Sequence, residues 1–441
     1  MARAQGPAPS SWLGRLALAL IVTSVAFSAY VLWRSAVLTP YYDELDWILR
    51  WRALAADGDW GRYLFTPVNL HRVPFVFGLL ALDIQVFSGT NWPLIASGAL
   101  ALGVLAWILA REGAKAAPPP LPLPAAAAIA MLALTPPNLL DAAMPICVNY
   151  LHGAAFAVLA MVLAEGRDGP GVGWRRLTAL AAAVLAGFGD AAALAVWPAM
   201  AIAALRRRDV LWFAAILVAG TAFVSAYAWG QAASAEGATS GALHDPMSAL
   251  RLALNFIALP WTQVNIELAW IPGLAIAAVS LAAVTLRGGS MAARSERLAV
   301  TFILFSLGVT AMAALGRTAG DVLNVPLRYS VLLAPLHAGL VILALPYADD
   351  LWRANRRGGD ALWAAALVLL ALQGGLMAVR TVRTSDVVRN TIAEFKAGVT
   401  TPRTPLFIHP NPAHAERIYA DLHRDGLYQR ELHLKRTTPA R

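Results

Sequence analysis

The stretch WLGRLALALIVTSVAFSAYVLW, residues 12–33, decides the fold class of this chain. A helix needs about 20 apolar residues to cross the hydrocarbon core of a bilayer, and this run carries a single charge, Arg15. It is too long for an ordinary signal peptide and lacks a small-residue cleavage site before polar sequence. We therefore interpret it as an uncleaved first membrane span.

The composition of the whole chain indicates the same class. Of its 441 residues, 59% are hydrophobic and 14% are charged, and the mean hydropathy is +0.59. Ordinary globular proteins carry about 25% charged residues, so a soluble enzyme is excluded, and so is a disordered chain. Cys147 is the only cysteine, which excludes a disulfide scaffold. Continuous apolar runs predict an all-α polytopic membrane protein rather than a β-barrel.

Ten further apolar runs give a prediction of eleven spans. These runs lie at 91–110, 121–138, 148–164, 176–189, 190–205, 209–230, 264–286, 298–315, 330–347 and 361–379. The segment 73–88 is also apolar, and its placement decides the topology. If it lies on the outer surface and the N-terminus is cytoplasmic, the inner segments hold twice as many basic residues as the outer loops. The positive-inside rule therefore favours an interfacial helix at 73–88.

This topology predicts two domains. A multi-pass membrane domain takes residues 1–380, with a first outer loop and its juxtamembrane helices at 36–90. A short polar tail, residues 381–441, is predicted to be extracytoplasmic. The net charge of +9 does not indicate a nucleic-acid partner, because the basic residues fall between the apolar runs.

The first outer loop places three carboxylates within four positions: Asp43, Glu44 and Asp46. Carboxylates near lipid are costly unless they are solvated or matched to a cation, so they predict a functional site. Helix capping is the alternative, with Asp43 as N-cap and Asp46 in the capping-box position. We predict Asp43 and Glu44 as catalytic candidates and Asp46 as an additional one. Whether any of them binds a metal stays open.

Basic residues near the predicted outer face are candidates for binding phosphate, since arginine presents a planar fork of donors. Snorkelling of arginine to the membrane surface is the alternative. Asn149, His152 and Asp190 are interpreted as structural. The predicted phosphate-binding group, with Asn69 as an additional candidate, consists of His71, Arg72, Arg317, Arg328 and Tyr329.

The layout resembles the GT-C superfamily of polytopic glycosyltransferases, which includes the lipid-A aminoarabinose and protein-mannosyl transferases. The resemblance rests on one span followed by an outer loop with the acidic pair Tyr42-Asp43-Glu44. Juxtamembrane helices follow, and then a span that ends in the basic turn Ala110-Arg111-Glu112-Gly113. A related set of bacterial membrane proteins is matched by Asn69-Leu-His71-Arg72, Arg328-Tyr329 and the turn His409-Pro-Asn-Pro412.

The resemblance implies an inverting glycosyltransferase that moves a sugar from a polyprenyl-phosphate carrier to a glycan, lipid or protein acceptor. It also implies that transfer takes place at the outer face of the bacterial cytoplasmic (inner) membrane. A carboxylate of the first loop acts there as base or helps to hold a divalent cation, Mg²⁺ or Mn²⁺. Asp43 and then Glu44 match that carboxylate. The next outer loop offers only Asp141, so metal dependence stays open.

Two other functions fit the same sequence. One is a transporter or flippase of a lipid-linked substrate, and such proteins place charges or broken helices at mid-membrane. The other is a non-catalytic membrane partner in surface-polysaccharide assembly, which would use the same outer loops for binding. The sugar, the acceptor and the oligomeric state cannot be inferred from the sequence.

Overall fold

A computed structural model describes residues 11–55, 57–68, 71–166, 172–229, 245–259, 261, 267–286, 293–315 and 327–429. Within these ranges the regular secondary structure is helical, and one isolated bridge joins Val68 to His71. Two of the predicted site residues, Asn69 and Arg317, lie outside the described residues.

Helices α1 to α18 follow one another along the chain, with short helical turns at 51–55, 145–147, 191–195 and 327–329. Their bounds are α1 Ser11–Ser35, α2 Asp43–Arg50, α3 Trp60–Phe65, α4 Pro74–Phe87, α5 Trp92–Ala116, α6 Pro122–Ala133, α7 Pro136–Ala143, α8 Val148–Ala164, α9 Val172–Gly189, α10 Val196–Arg206, α11 Val210–Ala228, α12 Pro246–Ile257, α13 Trp270–Leu286, α14 Arg294–Leu315, α15 Ser330–Ala354, α16 Arg356–Lys396, α17 Thr404–Phe407 and α18 Pro412–Arg424.

Seven of the described helices are long and apolar enough to cross a membrane, or eight if the bent pair α6 and α7 forms one span. The prediction of an all-α polytopic membrane protein is confirmed. The predicted number of eleven spans is higher than this count. The three additional runs do form helices, but Arg175 and Arg176 lower the hydropathy of α9, and the helices at 191–206 and 270–286 are shorter.

The part of the predicted tail that follows α16 and is described by the structure, residues 397–429, packs against the first loop. It is called the tail from here on. The Tyr42 N–H donates to the Ile408 carbonyl at 2.5 Å, and the Tyr419 hydroxyl donates to the Pro40 carbonyl at 2.7 Å. Arg52 forms an ion pair with Asp421. The loop and the tail therefore lie at the same end of the helix bundle, here called the tail end. Which side of the membrane the tail end faces stays a prediction.

The segment predicted to be interfacial is helix α4, which has 14 residues. Its Asp83 is fully buried, and the carboxylate accepts hydrogen bonds from the Thr90 and Asn91 N–H groups, each at 2.9 Å from Oδ2. Thr90 and Asn91 lie directly before the first residue of α5. The first backbone N–H groups of a helix have no partner within the helix, and this end of a helix favours a negative charge. Asp83 thereby fixes the junction of α4 and α5 at the tail end.

The opposite end of the bundle is held by buried carboxylates that pair with arginines. Glu112 lies 2.5 Å from Arg294, and Glu165 lies 3.3 Å from Arg297 and 3.4 Å from Arg207. Both carboxylate side chains are almost fully buried. A buried carboxylate is retained at low cost only when it is paired in this way, so these contacts tie the ends of several helices together.

Helix α16 continues past the domain boundary predicted between residues 380 and 381, because it ends at Lys396. It has 41 residues, which corresponds to a length of about 60 Å at about 1.5 Å per residue. The hydrocarbon core of a bilayer is about 30 Å thick. The last part of α16 therefore extends beyond the membrane at the tail end, and the tail follows it directly.

Cysteine labelling tests this arrangement of the two ends. In a Cys147→Ala background, Gly61→Cys and Ala413→Cys should react with a membrane-impermeant maleimide from the same side, since both residues are exposed at the tail end. Arg357→Cys, at the start of α16, should react from the other side. Labelling of Ala413→Cys and Arg357→Cys from one side would contradict the arrangement.

Candidate functional site

A cavity of about 480 Å³ opens at the tail end. It is lined by the start of α2, the residues Val68, His71 and Val73, the start of α8, residues 191–192, the end of α14 and the turn before α15. The lining residues with polar chemistry include Asp43, His71, Asn149, Tyr150, Arg328 and Tyr329. Four residues predicted from sequence, Asp43, His71, Arg328 and Tyr329, thus contribute to one cavity.

Asp43 is the first residue of α2, and it does not cap the helix. Tyr42 occupies the N-cap position with φ of 52°, and no side chain there accepts a capping hydrogen bond. The capping interpretation of Asp43 is therefore wrong. Positive φ is unusual for an aromatic residue and is stabilised only by its surroundings, here by the hydrogen bond to Ile408. The Asp43 carboxylate forms no hydrogen bond or ion pair with the described residues.

The environment of Asp43 makes its carboxylate more basic than usual. Burial raises the pKa of Asp43, and the negative charge of Asp46 raises it further. The positive charges of Arg328 and His409 act in the opposite direction and do not fully offset the burial. Arg328 is thus close enough to influence the ionisation of Asp43, although 285 positions separate them in the sequence.

Arg328 brings a positive charge to the cavity. Its guanidinium lies 5.7 Å from the centre of the Tyr150 ring, a cation–π arrangement. Its Nε is buried and has no hydrogen-bond partner among the described residues. Tyr329 packs edge-on to Tyr150 and Phe256, with ring centroids 5.1 and 5.3 Å away. Tyr150 holds the guanidinium without neutralising it, and the charge of Arg328 also acts on the carboxylates of Asp43 and Asp141. No ion pair with a described residue occupies the guanidinium, so a bound anion can pair with it.

Glu44 has a different environment from its neighbour Asp43. It is fully buried and does not line the cavity. Burial raises the pKa of Glu44 to about 8, and the Asn91 side chain offsets this only in part. The side chain is therefore mostly neutral at pH 7. Its role as a second candidate base stays a prediction.

His71 approaches the cavity from a turn closed by two hydrogen bonds of 2.8 Å between the backbones of Val68 and His71. Its Nδ1 accepts from the Ala191 N–H at 3.3 Å and lies 3.4 Å from Asp190. Asp190 is fully buried and also accepts from the Asn149 amide at 3.5 Å. The Ala191 N–H therefore orients the imidazole, the buried Asp190 carboxylate lies beside it, and the ring lines the cavity.

Asp190 and Asn149 are interpreted as structural from the sequence, and nothing in the sequence connects them with His71. Their proximity depends on α8 and α9 packing backbone to backbone, since a Cβ added at Gly189 would lie 2.4 Å from the Gly153 nitrogen. The position of Asn149 at the start of a predicted span was the one available signal. Contact between two helices at glycines could not be inferred from either helix alone.

Arg72 does not line the cavity. Its Nε donates to the Tyr227 carbonyl at 2.8 Å, and its two terminal nitrogens donate to the carbonyls of Phe65 and Trp229. Its backbone N–H donates to the Tyr227 hydroxyl at 2.9 Å. These contacts join the segment after α3 to the end of α11. They favour a structural role for Arg72, and its role in binding phosphate stays a prediction.

Asp46 lies one turn after Asp43 on α2 and contacts the tail. Its carboxylate oxygens are 3.3 Å from His409 Nε2 and 3.5 Å from His414 Nε2. These histidines belong to the turn His409-Pro-Asn-Pro412 and to α18. The contact brings together residues more than 360 positions apart, and no local pattern around Asp46 indicates that it meets these histidines.

No family model matches the chain, and no curated protein matches it. Among solved structures, the chain is similar to the crystal structure of ArnT from Cupriavidus metallidurans in the apo state. The TM-score is 0.42 and the sequence identity is 15%, over 88% of this chain and 81% of that chain. This likeness is distant, so the function has to be argued from the residues of the cavity.

Arg72 offers a stability test of the site's frame. Arg72→Lys should lower the unfolding temperature in detergent by several degrees, because a lysine cannot donate to three separated carbonyls and each lost hydrogen bond costs about 0.5–1.5 kcal/mol. Differential scanning fluorimetry measures the shift. Arg111→Lys, whose guanidinium stacks on Trp107 at the other end of α5, is the matched control and should change the temperature less. Equal shifts in the two variants would contradict the structural role.

Proposed function

We propose that this protein is an inverting glycosyltransferase that moves a sugar from a polyprenyl-phosphate carrier to an acceptor at the outer face of the bacterial cytoplasmic membrane. One observation carries the proposal. Asp43 and Arg328 line the same cavity at the tail end, and neither side chain has an ion pair within the described part of the chain. The acceptor is a glycan, a lipid or a protein.

Asp43 is the proposed base. Transfer of a sugar to a hydroxyl group requires a base within hydrogen-bond reach of the hydroxyl proton, and the most effective base has a pKa near the working pH. Burial raises the pKa of Asp43 toward that range, while the positive charge of Arg328 offsets part of this rise. Glu44 is the second candidate, and its burial beneath the cavity makes it less suited to meet an acceptor.

Arg328 is the proposed group that stabilises the leaving phosphate. When the bond from the sugar to the carrier breaks, negative charge develops on the phosphate, and a fixed positive charge in a partly buried site stabilises it. A guanidinium can bind phosphate through two parallel hydrogen bonds. His71 and Tyr329 line the same cavity and are proposed as further phosphate contacts. Asn69 and Arg317 stay predictions.

Inversion requires that the acceptor attacks the sugar on the face opposite the leaving phosphate. Asp43 and Arg328 come from different elements, α2 and the turn before α15, so the base and the phosphate group are held independently. The cavity also lies at an end of the bundle, where the headgroup of a lipid carrier is found. Its tail and the surrounding membrane lipids would contact the apolar faces of the spans.

A divalent cation, Mg²⁺ or Mn²⁺, stays a prediction. Asp43 is the one carboxylate that lines the cavity in the part of the chain that the structure describes. Magnesium is usually held by one or two carboxylates together with substrate phosphates and water. Asp43 and a lipid phosphate therefore fit the minimum that such an ion requires.

Paired substitutions at adjacent residues test the assignment of the base. Asp43→Asn should lower the rate of transfer by about 10²–10⁴-fold, the usual cost of removing a general base. Glu44→Gln should leave most of the rate, since Glu44 is largely neutral at pH 7 and the amide has the same shape. The measurement is release of polyprenyl phosphate from a panel of polyprenyl-phosphate hexoses and pentoses, with unfolding temperature as the control for folding.

The opposite pattern, with Glu44→Gln inactive and Asp43→Asn active, would assign the base to Glu44. Full activity of both variants would remove the acid–base proposal. A folded wild-type protein that moves the lipid-linked sugar across a vesicle membrane without cleaving it would favour the transporter. A protein that does neither would favour the non-catalytic partner.

Two substitutions of Arg328 separate its charge from its hydrogen-bond geometry. Because Asp43 must be ionised to act as base, activity should rise with pH through its raised pKa. Arg328→Gln should move this rise to higher pH, since the positive charge that lowers the pKa is lost. Arg328→Lys should leave the pH profile nearly unchanged and weaken binding of undecaprenyl phosphate, because lysine cannot bind phosphate bidentately. Unchanged lipid binding in both variants would remove Arg328 from the donor site.

A further inference from the structure

We propose that Asp46, His409 and His414 form a zinc site that fastens the tail to the first loop. Each residue offers one ligand atom, and the three atoms lie within 4.8 Å of one another. This site is separate from the proposed sugar transfer, since none of its residues lines the cavity. The inference therefore does not depend on the proposed function.

The spacing of the ligand atoms is close to that around a tetrahedral zinc ion. With bonds of about 2.0–2.1 Å to nitrogen and oxygen, neighbouring ligand atoms are separated by about 3.3–3.4 Å. Asp46 Oδ2 lies 3.3 Å from His409 Nε2, Asp46 Oδ1 lies 3.5 Å from His414 Nε2, and one ligand atom from each residue can be chosen so that all three lie within 4.8 Å of one another. An ion can therefore be bound with small movements of these side chains.

The ligand types favour zinc over the magnesium or manganese predicted for the sugar-transfer site. Imidazole nitrogen suits zinc and its transition-metal neighbours, whereas magnesium and manganese prefer oxygen ligands. Two histidines and one carboxylate leave the fourth position of a tetrahedral ion to water. His409 is 12% exposed and Asp46 is 54% exposed at the side chain, so the ion can enter from solvent.

The chain around the two histidines is already ordered for binding. His409 Nδ1 lies 3.0 Å from both the N–H and the carbonyl of Asn411, and the tautomer in which Nδ1 donates to the carbonyl leaves Nε2 free to bind a metal. The Asn411 side chain caps α18 by accepting from the His414 N–H at 3.2 Å. One asparagine thus contacts the ring of His409 and the backbone of His414, and the two imidazole rings lie 5.1 Å apart.

The position of the site gives it a physical role. Asp46 belongs to α2, and both histidines belong to the tail. A bound ion would join these two segments by coordination bonds beside the hydrogen bond between Tyr42 and Ile408. The ion would hold α2, and therefore Asp43, against the tail.

Zinc binding to the purified full-length protein in detergent tests the proposal directly. After treatment with a chelator, isothermal titration with ZnCl₂ should show one site per chain. His409→Gln and His414→Gln should each weaken binding by at least about tenfold, since even an outer-shell partner contributes 10–100-fold. His423→Gln is the matched control, because His423 is exposed on the same helix outside the cluster, and it should bind zinc like the wild type.

Limited proteolysis supplies a second measurement. Zinc should slow cleavage within 397–429 in the wild type and in His423→Gln but not in His414→Gln. Absence of zinc binding in the folded wild type, or equal affinity in His414→Gln and His423→Gln, would overturn the proposal. These measurements contain no sugar donor, so their failure leaves the proposed transferase untouched, and loss of transfer in Asp43→Asn leaves the zinc site untouched.

Discussion

The contact between the tail and the residues just before α2 is the interaction on which the site depends. Tyr42 adopts a positive φ, and its N–H donates to the Ile408 carbonyl. This strained residue turns the chain from the first span into α2, and the turn places Asp43 at the cavity. Tyr419, through its hydroxyl on Pro40, supports the same turn. The catalytic candidate is therefore oriented by a segment at the far end of the sequence.

Neighbouring carboxylates on α2 have three different environments because successive residues of a helix point about 100° apart. Asp43 faces the cavity, Glu44 is buried beneath it, and Asp46 meets the tail histidines. An acidic cluster that looks uniform in sequence is thus divided by helix geometry into a base candidate, a neutral buried acid and a ligand candidate. The bend at Tyr42 determines which residue takes which position.

Much of the fold could be predicted from the sequence, because each long apolar run is unfavourable in water and by itself indicates a helix in the membrane. The predicted number of spans exceeds the count among the described helices at α9, whose Arg175 and Arg176 lower its hydropathy, and at the shorter helices 191–206 and 270–286. Asp43 and Arg328 were recognised as candidates by their chemistry near the ends of predicted spans. The contact partners of Arg72 and His71 could not be predicted. They depend on backbone carbonyls and on glycine contacts between distant helices, and neither leaves a pattern in the local sequence.

Helix α16 connects the two ends of the bundle without interruption, from Arg356 to Lys396. Each residue of a continuous helix adds a fixed rise and a fixed rotation. The number of residues in α16 therefore determines the height and the rotation of the tail above the membrane. Adding one residue would raise the tail by about 1.5 Å and turn it by about 100°. The tail would then present Ile408 away from Tyr42. The length of α16 thus determines the geometry of the cavity, although α16 contributes no side chain to its lining.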